Sequence, residues 1–278
     1  MRKTAAEPSV VLTKKVGTTL IVTFNRPEAR NAMSAKLYSE CVHILDKAYL
    51  NPSIRCIILT GAGTCFSGGR DLKERNENRQ SADEYMEHTL FSKEGPAHFY
   101  SYLTQYRKPI ITAINGPAVA GGCIVAVLGD ISLASDRAFF ALPEIDRGIP
   151  PPGGVMVFPK LISRAQGAYM LLTGARVSAE EAERIGLITR VVAHQHLMKE
   201  ALAIARTIGE KSPVAVRLLK TALMTSAWGD DMKMNIAREA VRAIGDITRD
   251  RVKGIKAFAE RSTNKRHRVS RLVKVKRK

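Results

Sequence analysis

The pattern of hydrophobic and polar residues changes from strand-like to helical near the start of the chain. Two β-rich runs, Ser9–Lys14 and Thr18–Phe24, flank Gly17, an arrangement typical of a hairpin. Ser34 then precedes a stretch in which apolar residues recur at spacings of three and four. The pattern predicts an amphipathic helix that Ser34 caps and Asn51-Pro52 ends. Its apolar face comprises Leu37, Cys41, Ile44, Leu45 and Ala48.

The middle of the chain alternates apolar runs with glycine turns and helical segments. Arg55–Thr60 and Ile110–Asn115 are nearly continuous apolar runs, which predict strands buried on both faces. Residues 81–107 have a helical pattern that breaks near Gly95-Pro96. A short helix (Cys123–Leu128) and two further strands (Ile131–Ala134 and Phe139–Leu142) follow. This alternation predicts an α/β fold with a mainly parallel sheet.

After Gly153 helical patterns dominate, with one strand-like run at Thr189–Val192. We divide the chain into an α/β core (1–200), a helical C-terminal region (201–261) and a basic tail (262–278). Two late helices, Pro213–Trp228 and Met232–Ile244, carry more apolar surface than one subunit needs to cover. They therefore predict a homo-oligomer.

Charge is concentrated at the C-terminus of a chain whose composition is otherwise ordinary for a globular protein. The formal net charge is +18, and residues 261–278 hold nine lysines and arginines and no acidic residue. Such a block is typical of a solvated, disordered tail, although it can also attract phosphates or nucleic acid. The remaining positive charge suits a ligand that carries several phosphates.

Several classes of protein are disfavoured by the sequence. No apolar run approaches the roughly 20 residues that span a bilayer. The N-terminal residues lack the apolar core of a signal peptide, so we expect a cytoplasmic protein. The cysteines and histidines have no metal-ligand spacing, and we expect buried, reduced thiols and no metal site. The cysteines are Cys41, Cys56, Cys65 and Cys123.

Two glycine-rich turns are the candidates for chemistry. The segments 66–72 (FSGGRDL) and 116–124 (GPAVAGGCI) each follow a buried strand and open a helix. A helix N-terminus offers unpaired N–H groups to a negative oxygen, so two turns aimed at one point would form an oxyanion hole. Neither turn fits the dinucleotide or P-loop fingerprint. Each turn alone is a weak signal, because glycine turns are common.

Four motifs in a fixed order make the signal specific. NRPEARNAM, FSGGRDL, KPIITAINGPAVAGG and FALPEIDRGIPPPGG closely resemble the signature of the enoyl-CoA hydratase/isomerase (crotonase) superfamily. The resemblance extends over roughly residues 10–260, and TGARVSAEEAERIGLITRVV and KGIKAFAER continue it. It implies a core of repeated ββα turns in two sheets and a helical trimerisation region. It also implies a trimer or hexamer without metal or prosthetic group, acting on an acyl-CoA.

The resemblance also assigns roles to individual residues. The backbone N–H groups of Arg70 and Gly121 would hold the thioester oxygen, and Glu144 would be the acid/base. Coenzyme A, as part of the substrate, would contact a larger set of residues. This set comprises Arg26, Glu28, Ala29, Gly69, Asp71, Leu72, Lys256 and Phe258. The residue-level alternative for Glu144 is an exposed glutamate at a strand end, paired with Arg147 or Arg137.

The chain departs from the family pattern at one catalytic position. Hydratases of the family have a first glutamate in the sequence GGGCE, and here that position is Ile124. A single glutamate resembles the 3,2-enoyl-CoA isomerases. It also resembles the hydroxycinnamoyl-CoA hydratase-lyases, although 229–258 lacks the tyrosine that these lyases use.

Three functional hypotheses stay open at this point. The first is an isomerase or non-standard hydratase on an enoyl-CoA. The second is a hydrolase of a thioester or a C–C bond with the same fold. The third is a non-catalytic relative whose basic tail binds RNA. The identity of the acyl group cannot be predicted from the sequence, because the variable segment Glu74–Ser101 would form most of its pocket.

Overall fold

The computed structural model describes residues 9–77 and 95–228, which form an α/β fold with two sheets. The strands are β1 (Val11–Val16), β2 (Thr19–Phe24), β3 (Cys56–Gly61), β4 (Ile110–Ile114), β5 (Ala118–Val119), β6 (Ile131–Ser135), β7 (Phe139–Ala141), β8 (Val177–Ser178) and β9 (Arg190–Val192). The helices are α1 (Ala35–Leu50), α2 (Leu72–Glu77), α3 (Pro96–Gln105), α4 (Gly121–Val127), α5 (Pro152–Leu161), α6 (Arg164–Thr173), α7 (Ala179–Arg184), α8 (Leu197–Gly209) and α9 (Pro213–Trp228).

The larger sheet has six strands in the order β1-β2-β3-β4-β6-β9. Strands β1 and β2 form the predicted antiparallel hairpin, in which Val16 pairs with Thr19. Every other neighbouring pair in this sheet is parallel. The expected mainly parallel α/β fold is therefore confirmed. Its parallel strands all end at the same edge, where the two glycine turns begin.

The smaller sheet contains β5, β7 and β8. Strand β5 runs parallel to β7, and β8 runs antiparallel to it. Strands β5 and β8 have two residues each, too few to leave a periodic pattern in the sequence, and the sequence did not predict them. The pairing of β5 with β7 places the second glycine turn beside the segment that carries Glu144.

Two apolar clusters cover the opposite faces of the larger sheet. Successive residues of a strand point to opposite faces, and Ile57 accordingly belongs to one cluster while Ile58 belongs to the other. Helix α1 packs in the first cluster, with Ser34 accepting a hydrogen bond from the Leu37 N–H as its N-cap. Helix α8 contributes Ala201 to the second cluster. The buried strands explain the continuous apolar runs in the sequence.

Helix α9 is attached to the core through a buried lysine. Lys220 Nζ lies 2.7 Å from Asp130 Oδ2 and donates a second hydrogen bond to the Lys108 carbonyl oxygen. The boundary that we place at residue 200 falls inside α8, and the division into core and C-terminal region stays a prediction. The helix predicted at Met232–Ile244 and the basic tail lie outside the described residues. Within 9–77 and 95–228, no helix has the length and apolar character needed to span a bilayer.

Candidate active site

The NRP loop is tied to the core by Asn31, a buried residue that the sequence reading did not single out. The Arg26 backbone N–H donates a hydrogen bond to Asn31 Oδ1 (2.9 Å). Asn31 Nδ2 in turn donates to the carbonyl oxygens of Ala62 (2.9 Å) and Cys65 (2.7 Å). The amide thereby satisfies three backbone groups and fixes the loop against the turn after β3.

An ion pair joins this loop to the first glycine turn. The Arg26 guanidinium lies 2.8 Å from Asp71 Oδ2 and also donates to the Ala32 carbonyl oxygen (2.7 Å). Asp71 Oδ1 accepts hydrogen bonds from the backbone N–H groups of Lys73 and Glu74, which caps α2. Burial alone would raise the pKa of Asp71, but the hydrogen bonds, first that from Arg26, lower it overall. Arg26 and Asp71 therefore hold each other within the protein.

The other predicted coenzyme A contacts are distributed around this loop. Glu28 is exposed and Ala29 is half-buried in the 3-10 helix Pro27–Ala29. Gly69 is buried in the first turn, and Leu72 is exposed where α2 begins. Lys256 and Phe258 lie outside the described residues. The nucleotide contacts of this set stay predictions.

In the first glycine turn, the backbone N–H of Arg70 points in the direction opposite to the hydrogen bonds of the residues on either side of it. The Met33 N–H donates to the Gly69 carbonyl oxygen (2.8 Å), and the Asp71 N–H donates to the Met33 carbonyl oxygen (3.0 Å). Groups alternate in direction along an extended backbone, so the intervening Arg70 N–H points to the opposite side. It meets no acceptor in the described parts of the chain.

The second turn contains a strained residue next to the expected oxyanion donor. Ala120 has φ 54° and ψ −128°, a conformation that costs energy for any residue with a Cβ atom. Its N–H donates to the Ala141 carbonyl oxygen (2.8 Å), a bond that fixes it to β7. Gly121 begins α4 immediately afterwards, and within the described ranges its N–H has no acceptor either.

The two turns lie in contact, which brings the two predicted donors together. Gly69 has φ +90°, and a Cβ atom added to it would lie 3.1 Å from the Gly121 nitrogen. A Cβ atom added to Gly121 would lie 3.7 Å from the Arg70 nitrogen and would clash with the Tyr100 hydroxyl. Close approach and the positive φ angle thus require glycine at position 69, and the two N–H donors lie near one another at the same cavity.

That region opens into a cavity with a volume of about 160 Å³. Its walls come from both glycine turns, from α3, from the 3-10 helix Pro143–Arg147 and from the start of α5. The cavity brings together all three residues predicted to be catalytic. Lining residues that bear on the chemistry are Arg70, Tyr100, Gly121, Ile124, Glu144 and Arg147.

Glu144 is the acidic residue among the described residues that line this cavity. Its Oε2 atom is buried and has no hydrogen-bond partner. Burial raises the pKa of Glu144 to about 7, although its own backbone N–H and the charge of Arg147 act in the opposite direction. The alternative of an exposed glutamate is therefore wrong for this side chain, although the charge of Arg147 does act on its carboxyl group. A carboxyl with a pKa near neutrality can both accept and return a proton.

Ile124 occupies the position of the first family glutamate. Its side chain is buried, and a Cβ atom added to Gly153 would lie 3.0 Å from Ile124 Cγ1. Tyr100, from α3, lines the same cavity and was not predicted, because the segment Glu74–Ser101 had no pattern that pointed to it. The four cysteines are buried and free, and burial raises the pKa of each thiol.

An arrangement of this kind can stabilise a carbonyl oxygen as it gains negative charge beside an acid/base. The model of the family "Enoyl-CoA hydratase/isomerase" matches residues 14–266. The chain belongs to the enoyl-CoA hydratase/isomerase family, the crotonase superfamily, as its motifs predicted.

Individual relatives agree with this assignment over nearly their whole length. The chain is similar to the enoyl-CoA hydratase EchA19 of Mycobacterium tuberculosis, with 34% identity over 256 residues (90% of this chain, 93% of that protein). It is 32% identical over 246 residues to the 2,3-dehydroadipyl-CoA hydratase of Escherichia coli (88% and 93%). A solved carnitinyl-CoA dehydratase from Mycobacterium avium superimposes with a TM-score of 0.77 at 32% identity (90% and 97%).

Proposed function

We propose that this enzyme moves a double bond along the acyl chain of an enoyl-CoA through an enolate intermediate. One observation carries the proposal: among the described residues that line the cavity, Glu144 is the one carboxylate, it lies with two backbone N–H groups that have no acceptor there, and isoleucine replaces the second acid. A 1,3-proton shift needs one carboxylate and a stabilised enolate. Adding water requires in addition that a water molecule be oriented and deprotonated, which a second carboxylate usually assists.

The proposed mechanism has two proton transfers. The thioester oxygen of a 3-enoyl-CoA accepts hydrogen bonds from the N–H groups of Arg70 and Gly121. The Glu144 carboxylate removes a proton from C2, and the electron pair passes into a dienolate that bears its charge on the thioester oxygen. The protonated Glu144 then delivers the proton to C4, which forms the C2–C3 double bond. No water is consumed, and the enzyme returns to its starting state.

The finer assignments belong to the same proposal. We propose that the substrate supplies its own coenzyme A and that no further cofactor takes part. Glu28, Ala29 and Leu72 would contact the nucleotide part, with Lys256 and Phe258 added from a neighbouring subunit. The assembly would be a trimer or a hexamer. Support comes from the exposed apolar side chains of α9, which are Val214, Leu218, Leu219 and Leu223.

Non-standard hydration is the second candidate. It is favoured by the names of two relatives, the 2,3-dehydroadipyl-CoA hydratase and the carnitinyl-CoA dehydratase. In this alternative reaction Glu144 alone would deprotonate the water molecule that attacks C3. Ile124 weakens this candidate, because its side chain can neither orient nor deprotonate water.

The deciding experiment is a panel of acyl-CoA substrates analysed by chromatography and mass spectrometry. We expect 3-enoyl-CoA to convert to 2-enoyl-CoA, with solvent deuterium entering the acyl chain, and little hydroxyacyl-CoA to form. Dominant formation of hydroxyacyl-CoA would establish the second candidate. Release of free coenzyme A would instead indicate the hydrolase. An RNA-binding function would require that nucleic-acid binding vanish when residues 262–278 are deleted.

A further inference from the structure

The cavity contains a cationic side chain that the proposed mechanism does not use. Only the backbone N–H of Arg70 takes part in the oxyanion hole. Its guanidinium Nη1 atom is buried without a hydrogen-bond partner, and Arg70 belongs to none of the ion pairs of the described residues. A guanidinium carries a positive charge and only hydrogen-bond donors.

A buried charge without a partner is costly, so its surroundings matter. Arg26, from the neighbouring loop, binds Asp71 and the Ala32 carbonyl oxygen through its Nη1 atom. The cation that acts on the Glu144 carboxylate is Arg147. The guanidinium of Arg70 is thus left with unsatisfied N–H donors at the wall of a cavity that receives the substrate. An anionic group on the substrate would satisfy them.

The position of Arg70 limits which part of the substrate can supply the anion. In the proposed mechanism the Arg70 N–H binds the thioester oxygen. The guanidinium therefore lies no farther from the reacting carbonyl than the length of the Arg70 side chain. The phosphates of coenzyme A lie at the far end of the pantetheine arm, away from that carbonyl. An anion close to the carbonyl belongs to the acyl group. A guanidinium binds both carboxylates and phosphates in a bidentate manner, and of these two anions carboxylate is the one that an acyl group carries.

We propose that the Arg70 guanidinium binds a carboxylate carried by the acyl group, and that the substrate is the coenzyme A thioester of a dicarboxylic acid. This inference rests on the proposed function, because it uses the oxyanion hole to place the thioester. The remaining acyl chain would lie against the apolar part of the wall, which includes Val119, Ile124 and Ile149. Arg70 would then be a specificity-determining residue as well as an oxyanion donor.

A matched pair of saturated ligands tests the proposal without any turnover. Glutaryl-CoA and valeryl-CoA have the same chain length and differ only in a terminal carboxylate or methyl group. Calorimetric titration of the full-length enzyme should show glutaryl-CoA binding about 10- to 100-fold more tightly, the range expected for charge-assisted hydrogen bonds. Arg70→Met should abolish this preference and leave valeryl-CoA binding equal or tighter. Arg70→Lys should keep part of the preference.

The second arginine of the cavity provides the control. Arg147→Met should retain the preference for glutaryl-CoA. If Arg147→Met lost this preference while Arg70→Met kept it, the proposal would be overturned. Equal binding of both ligands by the wild type would also overturn it. Should Arg70→Met fail to fold, Arg70→Gln removes the charge and keeps polarity, and the same loss is expected. Because neither ligand carries a double bond, the result is independent of whether the reaction is isomerisation or hydration.

Discussion

Gly69 and Ala120 are in contact, so closely that a Cβ atom on Gly69 would lie 2.7 Å from the Cβ atom of Ala120. Both residues have positive φ angles, +90° and 54°. Each stands immediately before a residue whose N–H is expected to bind the thioester oxygen. The contact between these two residues therefore sets the separation of the two oxyanion donors, Arg70 and Gly121.

Gly69→Ala is expected to force the two turns apart and to lower kcat about a hundredfold or more, the effect of losing one oxyanion donor. The matched control is Gly68→Ala, where the added methyl group would meet its nearest neighbour, the Arg30 carbonyl oxygen, at an ordinary 3.5 Å. Steady-state kinetics on a 3-enoyl-CoA compares the two variants. Equal activities would show that the contact does not govern the oxyanion hole.

Glu144→Gln is expected to lower turnover by at least about a hundredfold, since a general acid/base contributes about that much. Substrate affinity should change little, because both N–H donors remain. In the wild type, kcat/KM should rise with pH and level off above about 7, since the reaction starts from the deprotonated carboxylate. Nearly full activity in the variant would place the chemistry on another residue.

The raised pKa of Glu144 also predicts a dependence of stability on pH. Because the pKa is about 7 in the folded protein and ordinarily 4.5, the folded state binds more protons between these values. Glu144 therefore loses its stabilising contribution as pH rises from about 4.5 through 7. Relative to the wild type, Glu144→Gln should gain up to ~3 kcal/mol in unfolding free energy between pH 4.5 and 8, at ~1.4 kcal/mol per pKa unit. Urea denaturation of both proteins at several pH values measures this difference, and a constant difference would contradict the prediction.

The exposed apolar face of α9 predicts an oligomer in solution. Leu218 and Leu219 are each 66% exposed in the single chain, which is unfavourable for adjacent leucines unless another subunit covers them. Light scattering at micromolar concentration should report a trimer or hexamer, and the double variant Leu218→Asp/Leu219→Asp should dissociate it. Leu50→Asp, at an exposed site on α1, is the control and should not. A wild-type monomer would contradict the prediction.

The elements with a regular period could be predicted from the sequence, and the contacts between distant segments could not. Helix α1 begins after Ser34 as expected, because its cap and apolar spacing are local signals. The two glycine turns and Glu144 were found through their motifs. The partner of Asp71 could not be predicted, because the Arg26 side chain comes from a loop 45 residues earlier. Tyr100 was missed for the same reason: only the packing of α3 against the second turn brings it to the cavity.

The most informative position is Ile124, where the family pattern has its first glutamate. If this isoleucine explains weak hydration, the wild type should add water to crotonyl-CoA far more slowly than it exchanges an α- or γ-proton with solvent. Water attack needs positioning and deprotonation, whereas the 1,3-shift needs only Glu144 and the oxyanion hole.

Ile124→Glu should then raise the rate of water addition, and Ile124→Gln, of similar shape but without a carboxylate, should not. The variant carboxylate would be buried against Gly153 at the start of α5, so a loss of several kcal/mol in stability is expected. Both rates, hydration and solvent-deuterium exchange, are compared for the three proteins at a temperature where all remain folded. Rapid hydration by the wild type would remove the preference for isomerisation. Another residue would then have to orient the water. Because the Tyr100 hydroxyl lies beside Gly121, Tyr100 would be the first residue to mutate in a search for it.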